Sequence, residues 1–183
     1  SEATMKFYEK TISKKLIYSG NYLKISNIEV ELPNGKITTR DIINHPGACA
    51  IIPFIDDNTI LLIEQFRKPL NKTILEIPAG KLSENESILD CAHRELEEET
   101  GYIAEEMTYL GSIATAPGFC DEIIHLFKAT NLSLGNKCCD EDEFTEVKSF
   151  NLDEVKSMIK SGKIIDTKTI SILVSPGWIG CRG

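Results

Sequence analysis

The sequence predicts an α/β fold of the α+β type, a three-layer α/β/α sandwich in which single helices pack against a mixed sheet. Segments rich in β-branched and aromatic residues occur before, between and after a few helical segments. Helices do not alternate regularly with strands, which argues against a regular βαβ series. With 183 residues the chain is long enough to bury a core. We therefore expect one compact body with antiparallel strands added at its N-terminus.

Turn signals separate the predicted strands. Asn34-Gly35 lies between two alternating runs, as in a β-hairpin, and Asp56-Asp57-Asn58 separates a later pair. The first three strands can form a small sheet of their own. The predicted strands are 14–20, 22–33, 36–43, 48–55, 59–67, 73–80, 107–116, 122–132 and 146–151.

Three helices are predicted after the sixth strand. The first has one apolar face at helical spacing, a capping-box pair at Ser83 and Glu86, and a terminal Gly101. It is expected to begin between Ser83 and Ser87. A second helix spans 152–161 between the caps Asn151 and Gly162, and a short third helix runs from Asp166 to about Val174. The apolar face of the first helix consists of Ile88, Ala92 and Leu96.

The charge balance limits the classes of partner. The chain has 20 Lys and Arg against 28 Asp and Glu, a net charge of −8, and no basic cluster that would bind a phosphate backbone. We therefore expect no nucleic-acid partner. No apolar run approaches the roughly 20 residues of a membrane span, and no signal-peptide pattern is present. These features predict a cytoplasmic protein without a membrane partner.

The cysteines show no metal-binding spacing. Six cysteines occur without a C-x-x-C pair, and three histidines are available to join them. Free thiols are therefore expected rather than a zinc site.

The segment Glu76–Tyr102 crowds acidic residues around two basic ones. On a helix, Glu95, Glu98 and Glu99 stand at i, i+3 and i+4, so their carboxylates converge on one stripe. Like charges at this spacing repel each other as water is excluded. Either the helix face is solvated, or it holds a hard divalent cation, which prefers oxygen ligands.

The charged residues of this segment follow a defined spacing. From Gly80 there follow five residues, Glu86, seven residues, and then Arg94-Glu95-Leu96-x-Glu98-Glu99-x-Gly101. This spacing resembles the Nudix box. Tyr102 departs from the pattern, which more often has an aliphatic residue there. The resemblance implies a hydrolase that cleaves a nucleoside diphosphate linked to another moiety.

The same resemblance implies roles for the residues of the box. Glu95, Glu98 and Glu99 would be ligands of Mg²⁺, or of Mn²⁺, and Glu98 and Glu99 would be catalytic through that ion. The backbone carbonyl of Ala79 would join the metal ligands, and Gly80 would let the backbone approach the cation and the substrate phosphates. Arg94 would orient a glutamate by ion pairing, with Glu86 in support.

Five further stretches carry a second resemblance: "RDIINHPGACAIIP", "LLIEQFRKP", "LEIPAGKL", "APGFCDE" and "DEDEF". In this order they resemble the ADP-ribose pyrophosphatase group of Nudix hydrolases, from about Lys14 to Leu173. Members of this group split ADP-ribose, a nucleoside diphosphate sugar, into AMP and ribose 5-phosphate, and they pair as homodimers through N-terminal strands. The implied organisation is an N-terminal strand unit for dimerisation over 1–45 and a Nudix domain over 46–183.

Substrate contacts are expected outside the box. Arg40 and Arg67 suit phosphate or adenosine binding, although each is also interpretable as a surface arginine. Glu76 is a candidate near the metal or the ribose. A loop after the box would shape the far side of the cleft, although a turn with an anchoring aromatic is an equally good interpretation. The residues of this loop are Pro117, Gly118 and Phe119.

The catalytic base is expected in the acidic loop Cys139–Val147, because the box glutamates are already engaged as ligands. Resemblance to the group places the base at Glu141 and an additional metal or water contact at Glu143; a solvated acidic loop is the alternative. For the whole chain, two other functions stay open. One is a pyrophosphatase for another nucleoside diphosphate sugar or dinucleotide, and the other is a Nudix module that senses a nucleotide without cleaving it.

Overall fold

The computed structural model of the chain describes residues 6–136 and 144–174. Contacts between residues divide the chain into two compact units. One unit consists of the chain up to Pro46 together with Ala114–Glu122, and the other consists of Gly47–Ile113 together with the chain from Ile123 onward. The division into domains at residues 1–45 and 46–183, and the dimerising role of the first, stay predictions.

The first unit is built on an antiparallel sheet in the order β1-β2-β3. The strands are β1 (Lys10–Ser19), β2 (Lys24–Glu31) and β3 (Ile37–Asn44). At the hairpin between β2 and β3, Gly35 has a φ of 80°, a left-handed conformation that glycine adopts without steric cost. The sequence therefore predicted both the separate sheet and its central turn.

The second unit contains two sheets. One is a mixed sheet in the order β7-β4-β9-β8, in which β4 is parallel to β9 and antiparallel to β7. The other is antiparallel in the order β10-β5-β6. The strands are β4 (Ala48–Pro53), β5 (Thr59–Arg67), β6 (Lys72–Glu76), β7 (Ala79–Lys81), β8 (Tyr102–Ala114), β9 (Ile123–Leu134) and β10 (Thr145–Asn151).

Strand β4 supplies the centre of the core because both of its faces are buried. Ala50 and Ile52 belong to one apolar cluster, and Cys49 and Ile51 belong to another, as the alternation of side chains along a strand requires. The first cluster includes residues of α2 (Leu152–Lys160) and α3 (Thr167–Ile172), and the second includes residues of α1 (Ile88–Thr100). The predicted α/β/α sandwich with a mixed sheet is confirmed.

One predicted strand is wrong in detail. The segment 73–80 was expected to be continuous, but β6 ends at Glu76 and β7 begins at Ala79. Pro78 has no N–H to donate to a sheet ladder, and its carbonyl oxygen accepts a hydrogen bond from Ile51 N at 2.9 Å. The break redirects the backbone immediately before Gly80.

The N-cap of α1 lies at the end of the expected range 83–87, but the capping box predicted at Ser83 and Glu86 does not cap the helix. Ser87 is the N-cap residue, and its Oγ accepts a hydrogen bond from Asp90 N at 3.0 Å. Ser83 and Glu86 instead form a turn before the helix, in which Ser83 N donates to the Glu86 carboxylate. Gly101 ends α1 with a φ of 77°, as predicted.

Two further findings concern the residues that the structure describes: the helices and the cysteines. In residues 6–136 and 144–174, no helix is long and apolar enough to cross a membrane. The described cysteines, Cys49, Cys91 and Cys120, are free thiols, as expected.

Candidate active site

Arg94 of α1 holds three glutamates of the acidic segment together. Its Nε and Nη2 donate to the two carboxylate oxygens of Glu86 at 2.7 and 3.0 Å. Its Nη1 donates to Glu95 at 2.6 Å and to Glu98 at 3.0 Å. Nη2 also donates to the carbonyl oxygen of Lys81 at 3.1 Å. One guanidinium therefore compensates three carboxylates and attaches α1 to β7.

The third glutamate of the predicted stripe faces the backbone of β7. Glu99 Oε2 accepts a hydrogen bond from Ala79 N at 2.9 Å. At the next position, a Cβ added to Gly80 would overlap the carboxylate of Glu95. Glycine is required here because the Glu95 carboxylate approaches the backbone where a side chain would otherwise lie.

Burial and hydrogen bonding set the charge states of this cluster. Glu95 and Glu99 are buried, with exposed fractions of 9 and 7 %, whereas the side chain of Glu98 is 42 % exposed. Hydrogen bonds from Arg94 lower the pKa of Glu86 from its ordinary value of 4.5 to about 2. Hydrogen bonding to Glu86 in turn raises the pKa of Arg94 above its ordinary value. Glu86 and Arg94 are therefore both charged at neutral pH.

The chemistry of this cluster fits a hard divalent cation. In the described parts of the chain, no three Asp, Glu, His or Cys side chains are already arranged around a metal position. Arg94 Nη1 instead contacts both Glu95 and Glu98. The donors nevertheless are all oxygen atoms, which is the set that Mg²⁺ prefers. Gly80 leaves the Glu95 carboxylate room beside the backbone.

A second charged cluster lies around Glu76 at the end of β6. Arg67 binds both carboxylate oxygens of Glu76, at 2.8 and 2.9 Å, and Lys168 Nζ contacts the same carboxylate at 2.5 Å. Lys168 also contacts Asp166 at 3.0 Å. Burial opposes ionisation of Glu76, but the hydrogen bonds from Arg67 and the charge of Lys168 outweigh it, so the pKa of Glu76 lies below its ordinary value.

Two groups of predicted substrate contacts belong to the first unit. Arg40 forms a two-bond ion pair with Glu9, at 3.0 and 2.8 Å. The predicted loop joins the end of β3, where Ile43 N donates to the carbonyl oxygen of Phe119 at 2.7 Å. The Phe119 side chain is exposed, and no atom lies within 4 Å of a Cβ added to Gly118.

Comparison with known proteins identifies the family. The model of the NUDIX domain matches residues 44–170. The chain belongs to the NUDIX domain family. A methanol dehydrogenase activator of Bacillus methanolicus is 50% identical over 166 residues, covering 90% of each protein. An ADP-ribose pyrophosphatase of Bacillus subtilis (strain 168) is 47% identical over 163 residues, covering 88% of each. A crystal structure of an ADP compounds hydrolase has a TM-score of 0.83 and 19% identity, covers 96% of both chains, and shows the same fold.

The predicted enzyme class is thereby confirmed: the chain is a Nudix pyrophosphohydrolase similar to ADP-ribose pyrophosphatases. The structure brings most of the predicted Nudix-box residues together around Arg94, and it places Glu99 on Ala79. Glu141 and Glu143, predicted as the base and an additional metal or water contact, lie outside the described residues. The individual roles of all these residues stay predictions.

Sequence reasoning did not find the Lys168 cluster. Lys168 is buried, and its neighbour Thr169 accepts a hydrogen bond from Ile77 N at 2.9 Å through Oγ1. Asp166 was recognised as a helix start, but a cap predicts contacts with its own helix and not with a distant strand. The pairing of Lys168 with Glu76 joins positions 92 apart in sequence, which no local pattern of the Nudix chain encodes.

A first prediction concerns Gly80→Ala. The added methyl group would displace the Glu95 carboxylate, which is the flexible end of a side chain, so we expect the fold to survive and activity to fall by about 10² or more. Circular dichroism would follow the fold and a Mg²⁺-supported hydrolysis assay the activity. The double variant Gly80→Ala/Glu95→Asp, with a shorter side chain, should regain any lost thermal stability. A Gly80→Ala enzyme with wild-type activity would contradict the close approach.

A second prediction concerns the pH dependence of stability. Because the pKa of Glu86 is lower in the folded chain than its ordinary 4.5, its stabilising effect is complete above pH 4.5 and is lost as the pH falls towards 2. Glu86→Gln should therefore lower the free energy of unfolding at pH 7 by roughly 1 to 2 kcal/mol. Denaturant titrations should show this difference from wild type narrowing below pH 4.5. Glu84→Gln, which removes an exposed carboxylate nearby, is the control and should change stability little.

Proposed function

We propose that the chain hydrolyses the pyrophosphate bond of ADP-ribose, giving AMP and ribose 5-phosphate, in a reaction that requires Mg²⁺ or Mn²⁺. The observation that carries this proposal is the approach of Glu95 and Glu99 to the Ala79-Gly80 backbone, with Glu98 joined to Glu95 through Arg94. The similarity to an ADP-ribose pyrophosphatase over 88% of the chain supports the choice of substrate. Water adds to one phosphorus, and the bridging P–O bond to that phosphorus breaks.

The box residues would hold the cation. Glu95, Glu98 and Glu99, with the carbonyl oxygen of Ala79, supply oxygen ligands. A bound divalent ion neutralises charge on the pyrophosphate and activates the attacking water. Arg94 donates to both Glu95 and Glu98 and so compensates part of the repulsion between these box carboxylates.

Several further groups are proposed to bind the substrate. Arg67 is half-exposed and can present its guanidinium to a phosphate in a two-bond geometry. We retain Arg40, Glu76 and the loop 117–119 as proposed contacts for the phosphates, the adenosine or the ribose. A cytoplasmic location and the absence of a nucleic-acid partner remain predictions from composition.

A second candidate function comes from the relative that is named a methanol dehydrogenase activator and is 50% identical. The chain would then increase the rate of a dehydrogenase. Adding the chain to purified methanol dehydrogenase tests this directly, and the Glu99→Gln variant shows whether the box is needed. Activation without hydrolysis of any nucleoside diphosphate compound would favour this candidate over the first.

The third prediction is the metal requirement and the products. ADP-ribose with Mg²⁺ should yield AMP and ribose 5-phosphate by chromatography, and EDTA should abolish turnover. Glu98→Gln and Glu99→Gln should stay folded and lose several orders of magnitude in kcat. Full activity without divalent metal would refute the metal site. A panel of nucleoside diphosphate sugars and dinucleotides tests the choice of substrate. If the enzyme hydrolyses another of these compounds faster, that compound and not ADP-ribose is the substrate.

The fourth prediction is the catalytic base. Glu141→Gln should lower kcat by about 10² to 10⁴ with little change in substrate or metal affinity, because it removes a proton acceptor and no ligand. Glu143→Gln is the matched comparison in the same loop. If Glu143→Gln shows the loss and Glu141→Gln does not, the two roles are exchanged; if neither matters, the loop is a solvated acidic segment.

The fifth prediction is a homodimer formed through the N-terminal strands. Every residue of β1 is exposed, including Ile12, Leu16, Ile17 and Tyr18, and an exposed apolar strand favours pairing with another chain. Light scattering at working concentration should give twice the mass of the chain. Leu16→Lys with Tyr18→Lys should shift the protein towards a monomer. A fully active wild-type monomer would rule out the assembly.

A further inference from the structure

The buried carboxylate of Glu76 has two cationic partners that differ in exposure. The side chain of Glu76 is 4 % exposed and that of Lys168 is 10 % exposed, whereas that of Arg67 is 41 % exposed. Both cations contact Glu76 directly, Arg67 with two hydrogen bonds and Lys168 with one. Solvent and solutes therefore reach the guanidinium far more easily than the ammonium group.

Lys168 is fixed in place by the first turn of α3. Its Nζ contacts Asp166 Oδ1 at 3.0 Å, and Asp166 Oδ2 accepts hydrogen bonds from Thr169 N and Oγ1 at 3.1 and 2.6 Å. Thr169 Oγ1 also accepts from Ile77 N at 2.9 Å. The start of α3 thus binds two consecutive residues, Glu76 and Ile77, immediately before the turn that leads to Gly80.

This arrangement affects what Arg67 can do. A buried carboxylate without a cation beside it is strongly unfavourable. Without Lys168, Glu76 would therefore hold the guanidinium of Arg67 in its ion pair. With Lys168 in place, Glu76 keeps a counter-charge when Arg67 moves to another anion. Glu76 ends β6 three residues before Ala79, whose N–H donates to Glu99 of the box, so the Arg67–Glu76 pair stands at the end of β6 that leads to the box.

We propose that Lys168 is a positioning residue: by compensating Glu76 permanently, it releases the Arg67 guanidinium to bind a phosphate of the substrate. This inference rests on the proposed hydrolysis of a nucleoside diphosphate compound. It gives Glu76 a role that acts through Arg67, and it makes α3 part of the substrate-binding machinery although Lys168 itself does not contact the substrate.

The test is Lys168→Met, which keeps the length of the side chain and removes its charge. We expect KM for ADP-ribose to rise about tenfold while kcat stays within about threefold, because Arg67 is then retained by Glu76. Lys168→Arg should keep KM close to wild type. Lys156→Met, the same substitution at an exposed ion pair of α2, is the matched control and should leave both constants unchanged.

A double variant separates positioning from simple structural support. In Glu76→Gln/Lys168→Met the buried charge of Glu76 is removed together with its cation, and Asp166 keeps its hydrogen bonds from Thr169 N and Oγ1, so we expect this variant to fold even where Lys168→Met alone does not. Arg67 then no longer faces a charged Glu76, and KM should return to within about threefold of wild type. Two results would overturn the proposal. One is a KM that stays about tenfold above wild type in the double variant, and the other is a Lys168→Met enzyme that loses kcat while its KM is unchanged.

A binding measurement that needs no hydrolysis separates the role of Lys168 from the proposed function. A wild-type enzyme that leaves ADP-ribose intact would refute that substrate, but it would not decide the role of Lys168. Inorganic pyrophosphate with Mg²⁺ is then the probe, and its effect on the melting temperature is the measurement. We expect pyrophosphate with Mg²⁺ to raise the melting temperatures of the wild type and the double variant by similar amounts, and that of Lys168→Met by clearly less. Equal stabilisation of all three proteins would overturn the role of Lys168.

Discussion

Arg94 stands among carboxylates that would otherwise repel one another, and the geometry of the site depends on it. Its guanidinium contacts Glu86, Glu95 and Glu98, and it also binds the backbone of Lys81. These contacts hold the acidic face of α1 against β7. The divalent cation that we propose would complete a charge balance that Arg94 supplies only in part, and this would link the stability of α1 to the affinity for metal.

The backbone between β6 and α1 connects the two charged clusters. On one side α3 holds Glu76 and Ile77 through Lys168 and Thr169. On the other side Glu99 binds Ala79 N, and Gly80 admits the Glu95 carboxylate. Pro78 lies between them and ends the sheet ladder. A short segment without regular structure is thus held from both ends, which gives the rigidity that a catalytic centre needs.

Local patterns predicted most of the fold because the caps, turns and apolar alternation of this chain agree with one another. Gly35 and Gly101 adopt the left-handed conformation that glycine favours, and β4 alternates between two apolar clusters. Local patterns did not predict the features that depend on contacts between residues distant in sequence. The Ser83–Glu86 pair resembles a cap, but Arg94 binds Glu86 and the helix begins after Ser87. Likewise, Lys168 gives no sequence signal of its contact with Glu76, which is a consequence of how α3 packs.

The central claim is that the acidic face of α1 binds a divalent cation beside the Ala79-Gly80 backbone. The most direct measurement is the anomalous scattering of Mn²⁺ in a crystal of the chain grown with a non-hydrolysable ADP-ribose analogue. We expect Mn²⁺ within about 2.3 Å of carboxylate oxygens of the box, with the guanidinium of Arg94 moved away from Glu95 or Glu98. Mn²⁺ bound elsewhere, with Arg94 still bridging both carboxylates in the presence of the analogue, would contradict the claim.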